Sequence, residues 1–157
     1  MEQKSRIGLD YIAFTGIPGI DSQHSELIFM LDAFTDNLKK DDPDADFIYN
    51  SMDGILSFMK SHFVTEEKLI EMMGFTKITD HKAQHKECIE LFLKELKTLN
   101  EKDFTKAKLI QFIRAFRDTA IVHFSISDGD YVNYMEKLLS GRGKRDSIVS
   151  NARAVAV

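Results

Sequence analysis

A single cysteine, Cys88, leaves no internal disulfide to staple the chain, so the stability of 157 residues has to come from packing or from a bound group. Prolines number only two and glycines eight, and between them the apolar residues recur with a helical rather than a strand period. No stretch approaches the roughly twenty apolar residues that a bilayer span requires. A formal charge of −4 gives no basic footprint, which excludes nucleic acid and anionic membrane surfaces as expected partners. Residues Met1 to Gly8 carry charges with no apolar stretch after them, so no secretory leader is expected and the cytoplasm is the default compartment.

What is present is one domain's worth of amphipathic helix. Residues 1–139 read as the domain and 140–157, basic and then small and apolar, as a flexible tail. Gly16, Pro18 and Gly19 break any period in residues 1–20, which predicts an extended arm, with Asp21 capping a first helix from Ser22 to Lys39. Its seam is His24, Leu27, Leu31, Phe34 and Leu38. A second helix runs from Asp44 or Asp46 to a left-handed cap at Gly74, with Ile48, Met52, Ile55, Met59, His62, Glu66, Leu69 and Met73 inward. The third, capped by Thr79, spans Asp80 to Leu99 with His81, His85, Cys88, Phe92, Leu96 and Leu99 in its seam. A fourth starts near Phe104, carries Leu109, Phe112, Phe116, Ala120 and His123, and is expected to break at Asp128-Gly129-Asp130 before a short piece from Tyr131 to Leu139. The fold class is all-α, and short connections make an antiparallel up-down-up-down four-helix bundle the simplest arrangement.

The histidines carry the chemistry. There are five, His24, His62, His81, His85 and His123, and every one falls on an inward seam. Residues four apart stack on one helix face, so His62 with Glu66 and His81 with His85 each aim two donors at one place, while Asp128 follows His123 by five. Taken singly, a seam histidine is an ordinary hydrogen-bonded core residue and a helical glutamate is ordinarily solvated. Together they would place five imidazoles and a carboxylate inside a core, and Lys60, Lys68 and Lys82 all fall off the inward line. A buried carboxylate without a partner costs several kcal/mol and each unpaired ring roughly 1–3 kcal/mol, so bound cations are the simplest compensation. Cys88 and the methionines Met30, Met52, Met59, Met72 and Met73 read as adaptable core.

The run from Asp21 to Leu27 around His24, then His62 with Glu66, His81 with His85, and His123 with Asp128 resembles the hemerythrin family, specifically its bacterial single-domain members, over residues 7 to 139. That resemblance implies two iron ions in a four-helix bundle. His81, His85 and His123 would hold one iron, His24 and His62 the other, and Glu66 and Asp128 would bridge them beside an oxo or hydroxo group. On this partition the first iron has six ligands and the second five, so dioxygen is the expected ligand at the iron of His24 and His62. A donor set poor in anions favours reversible binding over oxygen activation.

Leu27, Met59 and Phe63 are candidate wall residues. The family usually carries Trp-Leu four and three residues before the last histidine, where this chain has Thr119 and Ala120. The resemblance therefore implies a roomier, wetter pocket and faster autoxidation unless Phe116 or the N-terminal arm fills the gap. Reversible oxygen binding without turnover is the leading expectation. The alternatives are an enzyme that acts on nitric oxide or peroxide, which needs a separate reductant, and a redox signalling module, which needs a separate output partner.

Overall fold

The computed structural model describes residues 14–40, 45–99 and 105–140. Four helices account for nearly all of them: α1 (Pro18–Lys39), α2 (Ala45–Met72), α3 (Ile78–Thr98) and α4 (Lys106–Ser140), with no strand among the described residues. None of these helices is long and apolar enough to cross a membrane. The expected tail and all of the expected arm before Phe14 lie outside the described residues.

The helix starts depart from the sequence-based expectation in an instructive way. α1 begins at Pro18, four residues before Ser22, because proline has its φ already set for a first helical position and lacks the N–H that would go unpaired there. Asp21 is thereby moved into the first turn, where its carboxylate accepts hydrogen bonds from Thr15 N (2.7 Å), Thr15 Oγ1 (2.8 Å) and Gly16 N (3.1 Å). It fastens the entering chain instead of capping the helix. Thr79 likewise lies inside α3, whose N-cap position is Lys77 with no side-chain cap. Gly74 does end α2 in the left-handed region, at φ 70°. Phe75 N donates to Ile70 O and Gly74 N to Glu71 O, so orphan carbonyls of the last turn are paired. Tyr134 Oη then donates to Gly74 O at 2.8 Å, tying α4 to this turn.

α4 shows the largest difference: it runs unbroken through Asp128-Gly129-Asp130 for 35 residues, about 50 Å. A mid-helix glycine costs only about 1 kcal/mol. Contacts on either side outweigh it, because Asp128 and Tyr131 are fully buried and Asp130 pairs with Lys77 at 2.9 Å.

Two apolar clusters build the interior. The larger joins Leu27 to Leu38 on α1, Ile48 to Phe63 on α2, Phe92 on α3 and Leu109 to Phe124 on α4. The smaller gathers Ile17, Ile20, Leu69, Ile70, Met73, Phe75 and Tyr131 at the other end. Between them, at His24 on α1, His62 and Glu66 on α2, His81 and His85 on α3, and His123 and Asp128 on α4, lies a buried polar layer. Cross-helix pairs fix the alignment: Phe34 with Phe47 and His24 with His62, Phe63 with His85, and Phe92 with Phe116. Arg117 forks onto Asp32 at 2.6 and 3.2 Å and sets α4 against α1.

Candidate metal centre

Each helix delivers its donors by the same device, a polar residue placed in an otherwise apolar seam. His24, Glu66 and Asp128 are 0% exposed, His62 1%, His85 2%, His81 3% and His123 9%. Around Glu66 they fall into two overlapping groups, Glu66 with His81, His85 and His123, and Glu66 with His24 and His62, with ligand atoms in each group within 4.8 Å of one another. Asp128 belongs to neither group but lies beside both, its Oδ1 being 3.2 Å from His123 Nε2 and 3.6 Å from His81 Nε2, and its Oδ2 3.2 Å from His24 Nε2. Glu66 Oε2 stands 3.2 Å from His85 Nε2, 3.4 Å from His81 Nε2 and 3.8 Å from His62 Nε2. The seven residues anticipated from the sequence lie in one buried layer, and six of them, all but Asp128, make up the two groups that could hold metal.

The outer edges of the rings decide what the inner edges can be. His85 Nδ1 faces Glu67 Oε1 at 2.9 Å, and His62 Nδ1 faces Gln23 Oε1 at 3.0 Å. Both partners are acceptors, so the proton of each neutral ring sits on Nδ1 and Nε2 turns a lone pair inward. Those lone pairs meet carboxylate oxygens, and His85 Nε2 also meets His123 Nε2 at 3.1 Å. Acceptor confronts acceptor. Consistent with this, His24 Nδ1 and Nε2, His62 Nε2 and both oxygens of Asp128 are buried with no hydrogen-bond partner. Each such group costs about 1–3 kcal/mol. A cation that accepts all the lone pairs removes the conflict, and imidazole with carboxylate is a donor set suited to divalent transition metals. The buried cluster can therefore hold metal.

Tyr131, Gln23, Glu67 and Phe124 belong to the site and were not singled out from the sequence. Tyr131 Oη donates to Glu66 Oε1 at 2.7 Å from inside the core. Burial and the neighbouring charge of Glu66 push its phenol well above the ordinary value, so it stays a donor. Phe124 stacks on His24 with centroids 3.7 Å apart, and Phe63 does the same on His85 at 3.8 Å, which fixes both ring planes. Adjacency is the only signal that could have found three of them: Gln23 precedes His24, Glu67 follows Glu66 and Phe124 follows His123. Tyr131 lies three residues beyond Asp128, on the same face of the helix once α4 is continuous.

Of the residues expected around the pocket, the walls Leu27, Met59 and Phe63, together with Phe116 and Ala120, are buried in the larger cluster. Thr119 is not among them: it is exposed, and its hydroxyl bonds back to Ala115 O at 2.9 Å. One residue of offset turns it some 100° around the helix from Ala120. A cleft of about 260 Å³ lies away from these walls, and His81 is the one residue of the buried layer that lines it.

Burial holds the His62 imidazole down to about 4, the charge of Glu66 only partly opposing it. Burial alone would raise Glu66, but the His81 and His85 rings packed against it bring its carboxyl well below the usual range. Asp128 is also lowered: burial and Glu66 raise it, and His123 and His24 more than reverse that. His123 moves the other way, since Asp128 outweighs the burial that would lower it. For metal-free protein the sign follows. An imidazole depressed from 6.5 to about 4 contributes roughly 3 kcal/mol that is complete above pH 6.5 and lost as pH falls to 4. Glu66 and Asp128 lose their contributions lower still, while the contribution of His123 fades only as pH rises through its elevated value. The urea midpoint of chelator-treated protein is therefore expected to fall between pH 6.5 and pH 4, and a midpoint that holds constant over that window would contradict the assignment.

No family model, curated protein or solved structure matches the chain.

Proposed function

We propose that the chain is a hemerythrin-like di-iron protein that binds dioxygen reversibly, with His81, His85 and His123 on one iron, His24 and His62 on the other, and Glu66 and Asp128 bridging. The observation that carries this reading is the pair of donor groups that share Glu66, with Asp128 presenting one oxygen to each side. When bound, a ferrous pair held by these residues would supply two electrons for the reversible capture of dioxygen.

The residues of this chain do the rest. Gln23 and Glu67 orient His62 and His85 and keep their inner nitrogens free of protons. Tyr131 holds one oxygen of Glu66, which restrains the carboxylate between the two groups. Phe124, Leu27, Met59, Phe116 and Ala120 exclude water on the apolar side of the layer, where burial is nearly complete. The cross-helix pairs run in opposite senses for neighbouring helices, as His24 with His62 against Phe34 with Phe47 illustrates, which supports an antiparallel up-down-up-down order.

The test is to load the full chain with ferrous iron anaerobically, admit oxygen, withdraw it, and repeat. A visible charge-transfer band that appears and disappears over several cycles is the expected result. Steady consumption of nitric oxide or peroxide with a supplied reductant, without a reversible band, would replace binding by catalysis.

A further inference from the structure

The two halves of the centre differ in what stands behind their imidazoles. Behind His85 is a carboxylate, Glu67 Oε1, at 2.9 Å from Nδ1. Behind His62 is a neutral amide, Gln23 Oε1, at 3.0 Å. Behind His24 there is no hydrogen-bond partner among the described residues, and its Nδ1 is buried. An imidazole whose outer N–H is donated to a carboxylate is a stronger base at its inner nitrogen than one held by an amide or left unpaired, and binds a cation more tightly. Donor number acts in the same direction, because the Glu67 side gathers His81, His85 and His123 around Glu66 and the other side only His24 and His62. The side chain of Glu67 is 25% exposed, so it stands between the His85 ring and solvent.

Resting on the metal-centre reading above, we infer that the centre loads in two steps and that Glu67 is the positioning residue that makes the three-histidine half the tighter one, with Gln23 holding the two-histidine half weaker. The chain thus keeps one ion firmly and exchanges the other, so a singly loaded form exists over a range of free metal concentration.

The experiment uses full-length protein loaded with cobalt(II) and equilibrated with a graded series of chelator buffers, reading cobalt per chain, the visible cobalt spectrum and helical circular dichroism. Two release steps are expected. Glu67→Gln, which keeps an acceptor but removes the charge, is expected to shift the tighter step about 10- to 100-fold toward higher free cobalt and leave the weaker one in place. Gln23→Glu is the reciprocal change, and it is expected to tighten the weaker step and narrow the gap, which no purely structural role of Gln23 predicts. Helical signal unchanged in both variants separates these shifts from misfolding. Release of both ions in one step, or equal displacement of both steps by Glu67→Gln, overturns the inference and leaves the metal centre standing. Failure of the unsubstituted chain to retain any cobalt overturns both.

Discussion

Glu66→Ala is expected to strip both ions from the protein at once, whereas His62→Ala is expected to leave one. The difference follows from position. Glu66 is the one residue common to both donor groups and lies 3.2 to 4.0 Å from four of the five histidines, so its loss subtracts a donor from each group. His62 belongs to a single group, and its removal leaves Glu66, His81, His85 and His123 intact. Alanine at 66 also orphans the phenol of Tyr131, a further cost of about 1–3 kcal/mol. Elemental analysis of the two variants beside the unsubstituted chain checks this. Equal metal content in Glu66→Ala and the unsubstituted protein would remove Glu66 from the centre.

The second large effect is on stability. Withdrawing metal with a chelator is expected to lower Tm by 10 °C or more. Ligand at a thousandfold its Kd adds about 4 kcal/mol for one site, and a chain of this size gains some 2–4 °C for each kcal/mol. Two sites give more. The loss is also visible in structural terms, since five buried polar atoms without partners and several opposed lone pairs are what the metal-free layer is left with. Helices should nonetheless persist, because the larger apolar cluster is built from Leu27 to Phe124 without any donor residue. Far-UV circular dichroism retained at 20 °C with a strongly lowered Tm is the expected pair of observations; an unchanged Tm would mean that the polar layer is satisfied by something other than metal.

Much of this is legible in the sequence. The seams of α1 and α2 are buried residue for residue, from His24 to Leu38 and from Ile48 to Met73, because a 3-4 step of apolar residues leaves one helical face to bury. The α4 seam was less clean: Phe112 is only partly buried and Ile113 takes the core position, as two adjacent large apolar residues compete for one place. Where local signals were read alone they misled. Asp21 has the chemistry of a cap but Pro18 starts the helix earlier, and Asp128-Gly129-Asp130 has the composition of a turn but is held helical by Tyr131 and Lys77. Thr119, at the position where the resembling family carries a large wall residue, faces outward. The donors were readable because imidazoles in a seam need a reason, whereas Gln23 and Glu67 looked like ordinary surface residues until the rings they support had been located.

The most direct measurement is a crystal structure of metal-loaded protein with an anomalous difference map recorded at the iron edge. The account predicts two iron peaks inside the polar layer, one within ligand distance of His81, His85 and His123, the other of His24 and His62, with Glu66 and Asp128 reaching both. A single peak, or iron bound only outside that layer, would contradict it.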